Sequence, residues 1–285
     1  MNRTNRVIIS ASVLLAAACG TEEVQPVQTG TCLGQPATVI RGAITTNTTW
    51  TADRRYLLSG RVDVNNQATL TIEPGTTICG DADQLLMNVS YLNVAQDAKL
   101  IADGTASQPI VFTSNQPAGS RDRGDWGGII VCGRAPHNQP SDPTVEGGPD
   151  ATYGGTNADD NSGILRYVRI EFAGIAFQPN QEINGLTLGA VGSGTTIEHI
   201  QVSYSGDDSY EWFGGNVNAK YLVALAGLDD DFDQDFGWQG HVQFALSLRD
   251  QARLVKDTVV ATVMANLGFK QAMQREGIEV VETAV

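Results

Sequence analysis

The chain has 285 residues, of which 18 are Lys or Arg and 32 are Asp or Glu, so its formal net charge is −14. This acidity argues against nucleic acid and anionic lipid as partners, because both are polyanions, and it favours cations or neutral glycans. The 31 glycines, with abundant Thr, Asn and Asp, are typical of turn-rich β structure.

The first residues have the features of an export signal. Arg3 and Arg6 charge a short n-region, and residues 7–18 are apolar apart from two serines. This stretch is too short to span a bilayer and is predicted to be removed. Three alanines before Cys19 resemble the lipobox of bacterial lipoproteins. That resemblance implies cleavage before Cys19, diacylglycerol on its sulfur and acylation of its new amino terminus. An ordinary secretory signal is the alternative.

The resemblance also implies a location. Gly20 follows the lipidated cysteine, which in Gram-negative lipoproteins indicates sorting to the outer membrane. Several acyl chains on one residue anchor a protein stably, whereas one chain does not. We therefore expect a cell-envelope protein that is bound to the outer membrane through palmitate-like chains.

Three cysteines remain after this processing. In an oxidising compartment Cys32 and Cys79 are predicted to form a disulfide that ties the N-terminal strand to the first coil. Cys132 lies in an apolar run and is interpreted as a small buried hydrophobe.

A strand pattern that recurs every 21 residues predicts the fold. Apolar residues alternate with polar ones and return at the same spacing in three segments, as Ile200, Val202 and Tyr204, then Tyr221, Val223 and Leu225, then Val242, Phe244 and Leu246. Period-two alternation indicates strand, and a fixed period of about 20 residues indicates one stacked coil per repeat. The pattern predicts an all-β chain folded as a right-handed parallel β-helix with inserted loops.

Longer repeats extend this prediction toward the N-terminus. Val62, Val64, Ala68, Leu70 and Ile72 return after 30 residues, and Leu165, Val168 and Ile170 return after 32. Coils of constant size with variable loops explain these steps, and residues 79–88 and 136–162 are the predicted loops. The predicted organisation is a signal peptide (1–18), a tether (19–36), a β-helix (37–250) and a separate tail (254–285).

Four segments resemble a family of β-helical lipoproteins of Gram-negative bacteria. They are residues 70–78 (LTIEPGTTI), 109–114 (PIVFTS), 124–130 (GDWGGII) and 206–215 (GDDSYEWFGG). The resemblance covers about residues 37–250 and implies the fold and the envelope location. It transfers no catalytic residue.

The tail differs in character from the β-helix. Residues 258–263 and 278–285 are predicted to be strands around a helix at 267–276, which Gly277 ends. Residues 255–278 closely resemble phosphoglucosamine mutases, yet the family's phosphoserine, metal-binding and sugar-binding motifs are absent from the sequence. Either the chain joins two unrelated coding segments, which is favoured, or the resemblance is a coincidence on a capping βαβ element.

Two acidic segments, residues 205–215 and 228–240, carry the predicted site. Asp208, Asp229 and Asp250 lie 21 apart, so they are predicted to stack about 4.8 Å apart and to repel one another unless Ca²⁺ or protonation neutralises them. Aromatic residues among acids suit sugar rings. The further ligand-binding residues predicted here are Asp207, Glu211, Trp212, Asp231, Asp233, Asp235 and Trp238.

Three interpretations of these acids remain open at this point: turn chemistry without a ligand, a Ca²⁺ site, and catalysis. We expect a non-catalytic surface lipoprotein that binds a glycan or another envelope component. The alternative is a polysaccharide-active lyase or inverting hydrolase that uses the carboxylates of residues 207–250, because β-helices host such enzymes.

Overall fold

The computed structural model describes residues 29–82, 89–147, 151–178, 181–249, 258–262, 273–275 and 277–283. The predicted signal peptide, Cys19 and Asp250 lie outside these residues. In the described part of the chain, no helix is long and apolar enough to cross a membrane.

The structure is built almost entirely from short strands. In chain order they are β1 (Thr29–Cys32), β2 (Gln35–Ile44), β3 (Thr48–Trp50), β4 (Arg55–Val64), β5 (Thr69–Ile72), β6 (Thr77–Gly80), β7 (Tyr91–Val94), β8 (Lys99–Asp103), β9 (Ile110–Ser114), β10 (Gly128–Cys132), β11 (Gly163–Glu171), β12 (Ile175–Gln178), β13 (Gln181–Ile183), β14 (Leu186–Gly189), β15 (Thr196–Ser203), β16 (Tyr210–Phe213), β17 (Ala219–Leu225), β18 (Asp233–Asp235), β19 (Val242–Leu248), β20 (Thr258–Thr262) and β21 (Glu279–Thr283).

The pairing between these strands is mostly parallel and non-sequential. Strand β4 pairs with both β6 and β7, β11 pairs with β8, β9 and β15, and β15 pairs with β17, which pairs with β19. The strands of the 17-stranded sheet therefore lie on strands of neighbouring coils, as expected for a β-helix, while β12 with β13 and β20 with β21 form separate pairs. The all-β, parallel-stranded prediction is confirmed. Described β structure begins at Thr29, with β1 antiparallel to β2, rather than at Ala37.

The longer repeats hold in the strand register. Val62 pairs with Leu92 and Leu70 with Leu100, a step of 30, while Leu165 pairs with Ile197, a step of 32. One predicted loop begins too early, because Cys79 and Gly80 belong to β6.

The 21-residue register is wrong. Ile200 pairs with Leu222, a step of 22, and Leu222 pairs with Ala245, a step of 23. Leu222 is therefore fully buried, whereas Tyr221 is 44% exposed and Phe244 is 59% exposed. A slip of one residue exchanges the two faces of a strand, so the predicted inward set of the later coils lies outside.

The slip arises because these coils are 22 and 23 residues long rather than 21, and each of their strands contains a corner residue. His199, Tyr221 and Phe244 all have positive φ, which interrupts the alternation, so inward residues follow the order i, i+3, i+5. Together with Tyr167, which also has positive φ, they form an aromatic ladder on the outer surface. Its ring centroids are 4.3, 4.4 and 4.9 Å apart along the stack.

The core is a column of buried side chains that runs through the coils. Its largest fully buried members are Trp50, Trp126, Trp212, Tyr210, Phe112, Leu58, Leu70, Ile72, Ile78, Leu92 and Leu100. Stacked coils bury like residues above like, so each inward position is covered on both sides except at the ends of the column.

The cysteines occupy two different environments. Cys32 and Cys79, the pair expected from the sequence, form a disulfide with a Cα–Cα distance of 5.6 Å. Cys132 is fully buried, and burial raises the pKa of its thiol to about 12. Cys132 is thus a small core residue, as predicted.

In the tail, β20 and β21 form a separate parallel pair, in which Val259 lies opposite Val280. Residues 273–275 are helical, and most of the chain between the two strands lies outside the described residues. The βαβ arrangement accordingly stays a prediction.

Candidate functional site

The acidic residues gather where two neighbouring coils turn. The turn after β15 carries Asp207 and Asp208, β16 carries Glu211, the turn after β17 carries Asp229, and β18 carries Asp233. We call these five residues the acidic cluster. Because Glu211 pairs with Asp233 across parallel strands, their side chains point to the same side of the coil.

Backbone geometry fixes the first of these turns. The Gly206 amide donates to the carbonyl of Ala173, 2.8 Å away, and a Cβ at Gly206 would collide with the Gly174 carbonyl. Only glycine fits such a close approach of two chains. The Ser205 hydroxyl donates to the Asp208 carbonyl at 2.8 Å, which holds the turn closed just before the acids.

The stacking of the acids differs from the prediction. The amide of Asp230 donates to Asp208 Oδ1 at 2.7 Å, so Asp230 rather than Asp229 lies directly beside Asp208. The predicted 21-residue step from Asp208 to Asp229 is therefore not the register of the coils. The third predicted member, Asp250, lies outside the described residues and stays a prediction.

The structure nevertheless brings Asp208 and Asp229 together. The carboxylates of Asp207, Asp208 and Asp229 offer oxygens within 4.8 Å of one another, and those of Asp208, Glu211 and Asp233 do the same. Asp208 belongs to both groups. Either group is able to hold a metal ion, because closely spaced oxygens are the ligands that hard cations prefer.

Burial and mutual repulsion raise the pKa values of the acidic cluster. Burial, with the charges of Glu182 and Asp229, raises the pKa of Asp207 to about 7. Burial, with the charges of Asp207, Asp233 and Asp229, raises the pKa of Asp208 to about 7 despite its bond from the Asp230 amide. Both carboxyls therefore hold protons more tightly than a free aspartic acid does.

Glu211 is the most strongly perturbed of these acids. Only 7% of the residue is exposed, and burial, with the charges of Asp208 and Asp233, raises its pKa to about 9. Its Oε2 accepts a hydrogen bond from the side-chain Nδ2 of Asn184, a buried residue. At neutral pH Glu211 is protonated, unless a cation takes the place of the proton.

Two further acids approach the acidic cluster from outside the predicted segments. Glu146 lies within the long excursion between β10 and β11, and Glu182 lies in β13. Burial and a hydrogen bond with Glu182 raise the pKa of Glu146 to about 7, with added repulsion from Asp207 and Asp235. Their sequence surroundings have no repeat or motif, so only the folded chain reveals them.

The other predicted ligand residues are placed differently. Asp231 is buried and paired with Arg249, with an Nε–Oδ2 distance of 2.9 Å, so it stabilises the turn. Trp212 is fully buried in the core, so it offers no open ring face. Trp238 is half-buried and packs against Trp212, with ring centroids 5.3 Å apart, and its role as a ligand-binding residue stays a prediction. Asp235 is exposed at the end of β18.

Comparison with known proteins gives two separate results. A family model described as a pectate-lyase-like β-helix domain matches residues 42–271. Phosphoglucosamine mutases match a shorter part: those of Streptomyces avermitilis and Streptomyces coelicolor are each 63% identical over 71 residues, and that of Streptomyces griseus is 49% identical over 71 residues. No solved structure matches.

The mutase match is partial on both sides. It covers 25% of this chain and 15% of each of these mutases. The resemblance to mutases is thereby confirmed for a segment, whereas the β-helix model spans most of the chain. The chain belongs to the pectate-lyase-like β-helix domain family.

Proposed function

We propose that the mature chain is a lipid-anchored protein of the outer membrane that binds a glycan or another envelope component without turning it over. The observation that carries this proposal is the acidic cluster, with its two oxygen-ligand groups sharing Asp208, on a β-helix of a polysaccharide-related family. A glycan offers hydroxyl groups to carboxylates and to a bound cation alike.

Calcium is the cation that we assign to this site. Ca²⁺ takes six to eight oxygen ligands in flexible geometry, with carboxylates and carbonyls as the usual donors. Burial and the repulsion between neighbouring carboxylates raise the pKa values of Asp207 and Asp208, and a divalent cation that binds between them removes the repulsion. Binding to the folded state alone also stabilises the fold by mass action.

The calcium proposal is tested by thermal unfolding with and without Ca²⁺. We expect the melting temperature to rise with Ca²⁺ and the rise to disappear in the double variant Asp208→Asn with Asp229→Asn. The control is Asp53→Asn with Asp103→Asn, which makes the same charge change at two ion pairs outside the acidic cluster, with Arg54 and Arg166. No Ca²⁺ effect on the parent protein would remove the proposal.

The membrane anchor is tested at Cys19. Cys19→Ser removes the sulfur that would carry diacylglycerol, so the variant is expected in the soluble fraction or as an unprocessed precursor, while the parent sediments with outer membranes. Sedimentation of a processed Cys19→Ser protein with the membrane would contradict lipidation.

One observation favours catalysis as the second candidate. The pKa of Glu211 is raised to about 9, so it holds a proton near neutral pH, while neighbouring acids lose theirs at lower pH. Two carboxyl groups with such different pKa values are able to act as general acid and general base. Release of reducing ends or unsaturated products from acidic or neutral polysaccharides, lost in Glu211→Gln, would establish an enzyme and overturn the binding proposal.

We infer that the mutase-like segment contributes no mutase activity. The phosphoserine, metal and sugar motifs on which that chemistry depends are absent from the sequence. We propose that residues 254–285 come from a join of unrelated coding segments, which a sequencing read through codons 240–285 of the source genome tests.

A further inference from the structure

A cleft of about 390 Å³ with two arginines opens beside the coils that carry the acidic cluster. It is lined by Ala118, Gly119, Arg121, Asp122, Arg123, Phe172 and Tyr204. The first five belong to the connection between β9 and β10, and the two aromatic residues follow β11 and β15. In a chain of net charge −14, a lining with two guanidinium groups stands out.

Aromatic rings hold both arginines in place. Phe172 and Tyr204 stack with centroids 5.2 Å apart and planes only 5° from parallel. The Arg121 guanidinium lies 5.9 Å from the centroid of Phe172, and that of Arg123 lies 5.4 Å from the centroid of Tyr204. Stacking of this kind fixes a guanidinium without consuming its hydrogen-bond donors.

The two arginines differ in what their donors reach. Arg123 Nε donates to the carbonyl of Ala226 at 2.9 Å, which attaches it to the next coil. Arg121 Nε donates to the carbonyl of Gln116 at 3.1 Å. Within the described residues the terminal nitrogens of Arg121 have no protein acceptor, so they are available to a ligand.

The charge of the lining selects the kind of ligand. Asp122 also lines the cleft, and its Oδ1 accepts a hydrogen bond from the Arg123 amide at 2.8 Å. Two guanidinium groups and one carboxylate line the cleft, so its lining carries a formal charge of +1 and favours an anionic group over a cation. A fixed, planar fork of N–H donors matches the paired oxygens of a carboxylate or a sulfate ester.

We propose that this cleft is a binding site for the oxyanion of a carboxylate or a sulfate ester, with Arg121 as its principal donor and Arg123 as the second positive charge. The site is separate from the acidic cluster and does not depend on a cation there. An oxyanion carried on a sugar would add selectivity for anionic glycans to the hydroxyl contacts proposed for the acidic cluster.

Calorimetric titration of the full chain tests the proposal with four probes: glucuronate, a sulfate monoester of glucose, a phosphate monoester of glucose, and glucose itself. We expect the first two to bind, with an affinity that falls as salt rises, because the contact is between charges. Binding of one but not the other identifies the carboxylate or the sulfate as the source. The guanidinium fork also matches phosphate, so binding of the phosphate monoester alone would contradict a carboxylate or sulfate ligand.

Variants separate the site from general charge effects. Arg121→Gln is expected to weaken binding of the anionic probes by about tenfold or more, as loss of a charge-assisted bidentate contact does. Arg121→Lys keeps the charge without the fork and should be intermediate. Arg54→Gln makes the same charge change at an exposed arginine and should bind like the parent. Melting temperatures confirm that each variant is folded.

The proposal is wrong if neither carboxylate nor sulfate probe binds the parent, if glucose binds as tightly as they do, or if Arg121→Gln and Arg121→Lys both bind as the parent does. These outcomes leave the Ca²⁺ proposal untouched, because its readout is the melting temperature without any sugar.

Discussion

The register of the later coils is tested by removing the same side chain from two positions of one strand. Leu222 and Leu225 both lie in β17, and Leu222 is fully buried while Leu225 is half-buried. In the structure Leu222 pairs with Ile200 on one side and Ala245 on the other, so coils cover it both above and below. A strict 21-residue register would instead place Leu225 inside.

The two substitutions are expected to lower the free energy of unfolding by clearly different amounts. Leu222→Ala leaves a cavity between coils whose backbone hydrogen bonds prevent collapse, so we expect a loss of about 3 kcal/mol or more, within the range of about 2–5 kcal/mol known for such changes. Leu225→Ala removes apolar area that is already half in water, and we expect about 1 kcal/mol.

Urea unfolding followed by fluorescence of the buried tryptophans measures both values. For a chain of this size the free energy of unfolding falls by about 3 kcal/mol per molar urea. Leu222→Ala should therefore lower the midpoint urea concentration by about 1 M, and Leu225→Ala by about a third of that. An equal or larger loss for Leu225→Ala would refute the 22-residue step and the assignment of faces that follows from it.

Two further predictions concern the acidic cluster and the disulfide. Because the folded-state pKa values of Asp207 and Asp208 are raised from 3.8 to about 7, their contribution to stability is complete below pH ~4 and is lost as pH rises to about 7. With Ca²⁺ removed by a chelator, the melting temperature should thus fall as pH rises across this window, and it should fall less steeply in Asp208→Asn. Partial exposure of both carboxyls to solvent moderates the effect. A melting temperature that does not change with pH would contradict the raised pKa values. Replacing Cys32 and Cys79 with serine opens a cross-link with a sequence separation of 47 and is expected to cost about 4 kcal/mol in urea unfolding, whereas an unchanged midpoint would show that the coils already fix the N-terminal strand.

The fold could be predicted from the sequence because each coil repeats its inward residues. The steps of 30 and 32 rest on runs such as Val62, Val64 and Leu70, where only one face of the strand is apolar. The later step failed because both faces of β17 are apolar: Leu222 points inward, while Tyr221 and Val223 point outward. The alternation of apolar residues then does not show which face is buried. The positive φ at Tyr221 interrupts that alternation, and the sequence does not signal it, because tyrosine rarely adopts a positive φ.

The site could be predicted only in part, for a similar reason. Asp207, Asp208 and Glu211 are close in sequence, and the turn between strands brings them together with Asp229. Glu146 and Glu182 come from an excursion and a hairpin, whose positions over the coil depend on packing between distant segments. Sequence spacing carries no information on such contacts.

The corner residues of the aromatic ladder have a consequence for how this protein tolerates insertions and deletions. Tyr167, His199 and Tyr221 mark the same point of successive coils, so residues 200–221 form one complete turn of the solenoid. Excising that unit would join His199 to Leu222 with every remaining side chain still on its original face, whereas deleting a single residue would invert the strand. Outside the variable loops, lineages of such proteins should therefore change length by whole coils, and loss of this coil would remove Asp207, Asp208 and Glu211 in one event.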